Sequence, residues 1–588
     1  MQLKFIYLLL YLGGFALGSF SQGVTDRIKL NQVGFYTDAT KIAIITGQIT
    51  DGIFYITTTN LRDTVYKGSL SGESASKYSS TTCRTANFSK LQKSGNYILV
   101  IPNVGHSYVF TVGQNVHEEV ARAAIKGYYY QRASMELEEK YAGKWRRSRG
   151  HPDDEVYIHP SAASLLRPAG TIIAVPGGWY DAGDYNKYIV NSGISMGTLL
   201  SAYEDFESYS KTLSTHIPPS KDIPDLLTEI LYNLRWMLAM QDPDDGGVYN
   251  KCTNASFDGM VMPGVTKAKR YVVLKGTTAT LDFAAVTAQA ARIFYKYKRE
   301  LPGLSDSCKL AATAAWKWAE KNPDVVYDQT AINKLYEPKI TTGGYGDTHF
   351  DDEWFWASSE LFATLNDDKF LEVAKNKLNG LSIPSWNNVQ MLGIYTLIRM
   401  EKTRPTHASI FVEKLKGELL HFADSLIKGS SNSSFNTIIG QSVKDFIWGS
   451  NSVAANQSVL LINAYQISFK NKYLDYALSN LDYLLGRNAT GYCFLTGFGS
   501  KSTMHPHHRQ SVSDGVFEPV PGLLAGGPNP GMQDGQKYEF TEPETAYLDK
   551  SEAYASNEIA INWNAPLVYL AIAMECLQKK LTVTNQIY

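Results

Sequence analysis

Two aspartates in a glycine-rich turn are the first side chains whose type and spacing could perform chemistry. Asp181 and Asp184 stand three residues apart in GGWYDAGDYNKYIV, residues 177–190. Aspartate is common as a helix N-cap, but a single cap would not require two acids behind a Gly-Gly-Trp-Tyr lead. Carboxyl groups gathered at one place are typical of general acid and base catalysis. The segment therefore predicts a functional carboxylate pair.

A second acidic segment lies near the end of the chain. In YLDKSEAYASNEIAINWNAP, residues 547–566, Asp549 and Glu558 are nine residues apart, with Tyr554 between them and Trp563 after them. The apolar positions that follow predict a helix that has Glu558 near its start. A glutamate there can also merely complement the helix dipole, so this segment alone does not indicate a function.

The histidine-rich segment HPHHR, residues 505–509, offers polar donors. Three histidines in four residues suggest a metal site, but no further ligands follow at a typical spacing. The cation of Arg509 beside a metal would also be unfavourable. We therefore interpret the segment as a set of hydrogen-bond donors for a polar ligand.

Carboxylates, cationic donors and aromatic residues together indicate hydrolysis of a glycosidic bond. That reaction needs two carboxyl groups of unequal pKa. The sequence contains no GxSxG segment for a nucleophilic serine, and aromatic residues make up 12% of the chain. Aromatic rings pack well on the apolar faces of sugars, although a large core also uses them.

The elements that must position these side chains divide the chain in two. Short runs rich in Ile, Val, Tyr, Phe and Thr, separated by turn residues, predict an immunoglobulin-like β-sandwich over residues 22–113. After Gln114 the apolar residues recur with a helical period. Helices are predicted near 119–139, 189–203, 224–240, 283–297, 309–320, 354–375, 408–427, 454–468, 472–485 and 556–577. Many helices with long loops predict an all-α toroid that carries its chemistry at one end.

The first 21 residues are predicted to be a signal peptide. Lys4 precedes an apolar run, and the small residues Ser19 and Ser21 provide a cleavage site. No later stretch is long enough to cross a membrane, so we expect a secreted or periplasmic protein. A net charge of -1 gives no basic surface for nucleic acid. The five cysteines could form at most two disulfides.

These segments together resemble glycoside hydrolase family nine, in particular its members with an N-terminal immunoglobulin-like domain. LNQVGF, residues 30–35, resembles the opening of that domain, and the three segments above resemble the family's base, histidine and acid signatures. QDPDDGGVYNK, GGYGDTHFDDEWFWASSEL, WGSN and YLLGRN resemble further family segments. The resemblance covers nearly the whole mature chain and implies an (α/α)6 barrel over residues 114–588.

The resemblance also implies a role for each site residue. Asp184 matches the base that activates water, Asp181 its neighbour, and Glu558 the general acid. Asp549 matches a second acid that supports the acid site, and His507 and Arg509 match a pair that contacts the sugar. The remaining predicted sugar contacts are aromatic, namely Trp563, Tyr554, Trp179 and Tyr345.

No cofactor is required by this chemistry. Some family members bind zinc through two cysteines and two histidines, but Ala133 and Gly150 stand at or near the cysteine positions here, beside His151. Zinc is therefore not expected. Asp352 and Glu353 resemble an acidic pair that binds structural calcium, whereas Asn388 and its neighbours replace a later aspartate. The loss of an anionic ligand weakens such a site, so calcium is allowed there but not required.

The reaction that follows is endo-type, inverting cleavage of β-1,4-linked glucan by a monomer. Two alternatives stay open. The first is an exo-acting enzyme on cello-oligosaccharides or β-linked glucosamine. The second is a non-catalytic carbohydrate-binding protein, against which the presence of both Asp184 and Glu558 argues. The sequence does not fix which polymer or oligosaccharide is cut, but the chain has no length left for a cellulose-binding module, which favours soluble or oligomeric glucan.

Overall fold

A computed structural model describes residues 23–401, 408–431 and 433–581. The predicted signal peptide, residues 1–21, lies outside the described residues. None of the described helices has the length and apolar character that a membrane span requires. All five cysteines are free thiols.

The N-terminal part of the chain forms two facing β-sheets. Their strands run in the orders β1-β3-β7-β6 and β2-β10-β8-β4-β5, and β9 pairs with β8. Phe35, Phe88 and Phe110 pack edge to face or tilted between the sheets, with ring centroids 5.2 to 5.5 Å apart. The strands are β1 Ile28–Lys29, β2 Gly34–Tyr36, β3 Ile42–Thr46, β4 Ile53–Thr58, β5 Thr64–Ser69, β6 Ser74–Ala75, β7 Thr82–Asn87, β8 Gly95–Ile101, β9 Gly105–His106 and β10 Phe110–Gly113.

The rest of the chain is mainly helical. The helices are α1 Glu118–Tyr130, α2 Glu139–Ala142, α3 Ile189–Asp205, α4 Glu207–Ser210, α5 Asp225–Ala239, α6 Thr277–Phe294, α7 Leu304–Lys321, α8 Gln329–Leu335, α9 Asp351–Leu365, α10 Asp368–Lys377, α11 Gln390–Glu401, α12 Ser409–Ser430, α13 Ser450–Ser468, α14 Lys472–Leu484, α15 Arg509–Ser513, α16 Tyr554–Asn557 and α17 Ile561–Leu577.

The long helices form an inner and an outer set. Helices α3, α6, α9, α11, α13 and α17 are buried on nearly every side along most of their length. Helices such as α7, α10 and α12 bury one stripe and expose the other. Apolar residues all round a helix are what an interior position requires. The inner helices therefore carry the core, and the loops at their ends carry the site.

The helical part is not all-α, contrary to the sequence-based expectation. Five short strands form a sheet in the order β12-β11-β15-β14-β13. These strands are β11 Val156–Ile158, β12 Ile172–Ile173, β13 Lys187–Tyr188, β14 Lys251–Asn254 and β15 Arg270–Val272. The sheet matters for the site because β13 directly follows the two aspartates and leads into α3.

Several helix boundaries differ from the prediction. The helix predicted over 119–139 ends at Tyr130, where the chain turns to pair Arg132 with Trp179. The segment predicted over 354–375 is two helices, separated at Asn366 by a left-handed residue. The helix predicted to begin at 556 begins at Ile561.

Polar contacts fasten the N-terminal domain to the helical domain. The Asn31 side chain donates to Asp482 Oδ1 at 2.8 Å, and Tyr36 Oη donates to Glu575 Oε1 at 2.7 Å. Gln32 accepts the backbone N–H groups of 500 and 501 and donates to the carbonyl of 491. These bonds satisfy buried polar groups from both domains, so the two domains share a hydrogen-bonded interface.

Candidate active site

Backbone pairing brings the sequence-distant motifs together. The extended residues 558–560 form isolated β-bridges to three other segments, at Ala182, His507 and Ala525. The bridge at Ala182 joins the aspartate turn to the acid segment, and the bridge at His507 joins the histidine segment to it. Each predicted motif is therefore aligned against the same three residues, which explains how sites so far apart in sequence share one cleft.

Position 183 must be glycine because the aspartate turn and the histidine segment lie very close together there. A Cβ atom at this position would lie 2.0 Å from the His507 carbonyl oxygen. The Gly183 carbonyl also accepts the backbone N–H of Arg509 at 3.1 Å and its Nη1 at 2.8 Å. Gly177 and Gly178, by contrast, serve the turn itself, since both have positive φ.

Asp184 lies on the cleft wall with one oxygen held and the other free. Its Oδ2 accepts from Asn186 Nδ2 at 2.6 Å and from Tyr188 Oη at 3.3 Å. Its buried Oδ1 has no hydrogen-bond partner in the described part of the chain. Burial raises the pKa of Asp184, while the Asn186 hydrogen bond and the charge of Arg509 oppose that rise. The free oxygen is the one available to a water molecule.

Asp181 lies beside Asp184 and is held more completely. Asn191 Nδ2 donates to both of its oxygens, at 3.0 and 3.1 Å, and Tyr345 Oη donates to Oδ2 at 3.0 Å. Burial, followed by the charge of Asp184, raises the pKa of Asp181 to about 8. Two adjacent buried carboxyl groups cannot both ionise easily, so this pair favours one ionised and one protonated member.

Glu558 lines the same cleft but does not lie in a helix. It adopts an extended conformation, φ -69° and ψ 158°, between α16 and α17, because its segment pairs with three others. Burial, and then the charges of Asp184 and Asp181, raise the pKa of Glu558 to about 8. The negative charges of Asp184 and Asp181 thus favour the protonated form of Glu558.

Asp549 lies outside the cleft lining and organises its loops. Its two oxygens accept the backbone N–H groups of Met504 and His505 at 2.9 and 2.8 Å. Oδ1 also accepts from Asn557 Nδ2 at 3.1 Å. The Asp549 side chain therefore ties the histidine segment to the residue that precedes Glu558.

The three histidines of HPHHR do not converge. His507 lines the cleft and its Nδ1 lies 2.6 Å from the Ser551 carbonyl oxygen, which directs its Nε2 away from that carbonyl. His508 is buried, with its Nε2 3.0 Å from Gln131 Oε1, and His505 is exposed. This arrangement does not fit a metal site, and it leaves His507 with Arg509 as the polar groups of the cleft wall.

Two of the four predicted aromatic contacts lie in the cleft and two do not. Tyr345 and Tyr554 line it. Trp179 is wrong as a sugar contact, because its side chain is 0% exposed and packs on Tyr128. Trp563 is also displaced from the cleft lining, since its indole lies against the backbone of Gly449 and Gly526.

Three aromatic residues of the lining were not predicted. Tyr188 lies beneath the aspartates, Trp448 is 40% exposed and Phe257 is 47% exposed. Trp448 stands one residue before Gly449, and the indole of Trp563 packs against Gly449. Trp563, which was predicted as a sugar contact, therefore positions Trp448, which faces the cleft. The cleft has a volume of about 440 Å³ and is lined by Asp181, Ala182, Asp184, Tyr188, Phe257, Gly343, Tyr345, Trp448, His507, Arg509, Tyr554 and Glu558.

The positions that the resemblance gives to zinc ligands hold groups that do not fit the metal. A Cβ atom at Gly150 would lie 2.6 Å from the Pro263 Cβ. Ala133 belongs to a small buried aromatic cluster. The Nε2 of His151 lies 3.4 Å from Asp258 Oδ2, so an acid already faces the ring nitrogen.

Asp352 and Glu353 are buried in the first turn of α9. Both oxygens of Glu353, both oxygens of Asp282 and Oδ2 of Asp347 lack hydrogen-bond partners within the described ranges. Burial, and then the charges of Asp352 and Asp282, raise the pKa of Glu353 well above its usual range. Oxygen donors of this kind suit a hard cation, although no three acidic, histidine or cysteine side chains among the described residues are arranged as a ready-made metal site.

Two buried aspartates and a partly buried glutamate in an aromatic-lined cleft, on a helical domain that follows a β domain, define a glycoside hydrolase of the two-carboxylate kind. The family model described as glycosyl hydrolase family 9 matches residues 117–571, and the model described as cellulase N-terminal immunoglobulin-like domain matches residues 24–106. The chain belongs to glycosyl hydrolase family 9. The family predicted from the sequence is thereby confirmed.

Its relatives include proteins named as glucanases. A xyloglucan-specific endo-beta-1,4-glucanase of Bacteroides ovatus is 46% identical over 556 residues, 94% of this chain and 94% of that protein. Endoglucanase D of Acetivibrio thermocellus is 32% identical over 555 residues, 92% of this chain and 82% of that protein. A solved structure of a Bacteroides ovatus family 9 protein has a TM-score of 0.89 at 45% identity and covers 94% of this chain and 99% of its own.

Proposed function

We propose that the protein is an inverting endo-β-1,4-glucanase in which Asp184 is the general base and Glu558 the general acid. The observation that carries the proposal is the unequal environment of the two carboxyl groups in one cleft. Asp184 has one oxygen held by Asn186 and Tyr188 and the other without a hydrogen-bond partner among the described residues, whereas burial and the charges of the two aspartates raise the pKa of Glu558 to about 8. Single displacement requires a carboxylate with an oxygen left for water and an acid that stays protonated near neutral pH.

In this mechanism a water molecule is deprotonated by Asp184 Oδ1 as it attacks the anomeric carbon. Asp181, fixed by Asn191 and Tyr345, accepts the second hydrogen bond of that water. Glu558 delivers its proton to the leaving oxygen on the opposite side of the bond. His507 and Arg509 donate hydrogen bonds to sugar hydroxyls next to the cleavage point.

The substrate is a β-1,4-linked glucan, and xyloglucan is the first polymer to test because the 46% identical relative is specific for it. The decisive measurement is proton NMR of the products from defined cello-oligosaccharides and xyloglucan oligosaccharides. Internal cleavage with initial release of the α-anomer would support the proposal. Initial β-anomer would rule out inversion, and release of only terminal units would favour the exo-acting alternative.

We further propose that the inner and outer helices form the (α/α)6 barrel of the family. Successive inner helices pack against one another, from α3 to α6, α9 and α11 and from α13 through α17 back to α3. The predicted signal peptide supports export to the periplasm or outside the cell, and the carboxyl groups, His507 and Arg509 of the cleft all come from one chain, which supports action as a monomer.

A calcium ion is proposed to neutralise the buried acids around Glu353, and zinc is proposed to be absent. If calcium binds, chelation should lower the melting temperature, and added calcium should restore it. The Asp352→Asn variant should then respond less to both treatments than the unaltered protein. An unchanged melting temperature after chelation would show that protons alone neutralise these acids, and elemental analysis tests the zinc proposal.

A further inference from the structure

Lys251 is a completely buried lysine behind the wall of the cleft. It is 0% exposed, and the antiparallel pairing of β13 with β14 sets it directly opposite Tyr188. Directly opposed residues of two paired strands project from the same face of the sheet. The Lys251 ammonium accordingly lies 5.4 Å from the centroid of the Tyr188 ring. The short sheet therefore places a buried cation against an aromatic residue that lines the cleft.

The Lys251 ammonium donates its hydrogen bonds to uncharged acceptors. Its Nζ donates to Gln329 Oε1 at 2.7 Å, to Thr342 Oγ1 at 3.1 Å and to the Gly343 carbonyl oxygen at 2.6 Å. A buried ammonium that is held by neutral groups is costly, and burial lowers the pKa of Lys251 to about 7. The charge of Asp184 opposes that fall, so Asp184 is the anion that stabilises this cation.

The segment that Lys251 holds also holds Tyr188. The Gly343 backbone N–H donates to Tyr188 Oη at 3.1 Å, and Tyr188 Oη in turn donates to Asp184 Oδ2 at 3.3 Å. This bond occupies Oδ2 and leaves Oδ1 for water. Lys251 therefore acts on Asp184 in two ways, by its charge and through the hydrogen bonds of Gly343 and Tyr188.

We infer that Lys251 is a positioning residue for the base: it aligns Tyr188 with Asp184, and its charge favours the ionised form of that carboxyl group. The inference rests on the proposed function, because it takes Asp184 to be the base.

Lys251 is one of a small set of charges that act on the base. The titratable and charged groups around Asp184 are Asp181, Tyr188, Arg509, Tyr345, Glu558 and Lys251. Those around Lys251 are His159, Asp184, Tyr188 and Tyr327. The cations Lys251 and Arg509 thus offset three carboxyl groups, and loss of either cation leaves the site more negative. A more negative site holds a proton on Asp184 to a higher pH.

The test measures the pH profile of kcat/KM for Lys251→Met, which keeps the length of the side chain and removes its charge. Asp184 acts when ionised and its pKa should rise, so the acid limb should move to higher pH by about 0.5–1 unit. Lys251→Arg restores a cation and should return the limb toward its original position. Lys317→Met, at an exposed position of α7, is the matched control and should leave both limbs in place.

Gln329→Glu tests the same charge with Lys251 in place, and it decides the inference if Lys251→Met does not fold. The new carboxylate would pair with the ammonium that Gln329 Oε1 now accepts from and would offset its charge, so the acid limb should again move to higher pH. An acid limb that stays in place, with or without a loss of kcat, would show a merely structural role and overturn the inference alone. An unaltered enzyme that cleaves no glucan, or an Asp184→Asn variant that keeps full activity, would overturn the proposed function and the inference with it.

Discussion

At the scale of single residues, the acid and the base differ in what they must do for the leaving group. Glu558→Gln should reduce cleavage of glucan by about 10²–10⁴-fold, because a sugar alkoxide leaves poorly without a proton. The loss should be far smaller for a substrate with an activated aryl leaving group. Asp184→Asn should reduce both activities alike, because the attacking water loses its base in either case.

Steady-state kinetics on both substrate classes measure this difference. Asp181→Asn should be intermediate, because Asp184 can still hold the water. Equal losses for Glu558→Gln and Asp184→Asn on both leaving groups would contradict the assignment of acid and base.

The raised pKa values of the cleft carboxyl groups set the pH dependence of kcat/KM. Glu558 acts when protonated, so activity should be present below its pKa of about 8 and fall as the pH rises through it. Asp184 acts when ionised, and burial raises its pKa. The acid limb should therefore lie at a higher pH than an ordinary aspartate would give.

Removal of a neighbouring charge should move the alkaline limb in a defined direction. Asp181→Asn deletes a carboxylate whose charge raises the pKa of Glu558, so that limb should shift to lower pH. Asp306→Asn, at an exposed position of α7, is the control and should leave the profile in place. An alkaline limb that does not move in Asp181→Asn would show that the charge of Asp181 does not act on Glu558.

At the scale of elements, the contact between the aspartate turn and the histidine segment tolerates no side chain. Gly183→Ala should therefore destabilise the protein by about 1–3 kcal/mol and abolish most activity, because a Cβ would meet the His507 carbonyl at 2.0 Å. Gly344→Ala is a matched control, since a Cβ there meets nothing within 4 Å. Thermal unfolding with parallel assays measures both effects, and equal behaviour of the two variants would contradict them.

The elements that could be predicted from the sequence are those with one buried face or a strong local signal. The regions of α3, α5 and α14 were predicted closely because their apolar residues recur with a helical period. Helix α11 was missed; residues 390–397 are all buried, but so are residues 189–203 of the predicted α3, so burial on every side does not by itself explain the difference. Strands β11 to β15 were missed because they have two to four residues each, and pairing across distant segments specifies them.

The site shows the same limit. The sequence was sufficient to choose five polar site residues by their chemistry, and the structure places all of them in one cleft: Asp181, Asp184, His507, Arg509 and Glu558. The direction of an aromatic side chain could not be predicted in this way. Trp179 points into the core and Trp563 beneath a loop, whereas Phe257 and Trp448, in less conspicuous segments, face the cleft.

At the scale of the whole molecule, the N-terminal domain should stabilise the helical domain through specific buried bonds. Gln32→Ala would leave the backbone N–H groups of 500 and 501 without their acceptor, at a cost of about 1–3 kcal/mol. Gln92→Ala, at an exposed position of the same domain, should cost little. Calorimetric unfolding compares them, and equal melting temperatures would show that the domains are energetically independent.

The convergence of three segments on residues 558–560 has a consequence for the order of folding. The base lies early in the helical domain and the acid near its end, so the site depends on contacts of very long sequence separation. Such contacts form late, because the loop between them must be closed first. During refolding, helical structure should therefore appear before activity. A single cut of the backbone between α14 and α17 should abolish activity while most of the helices remain intact.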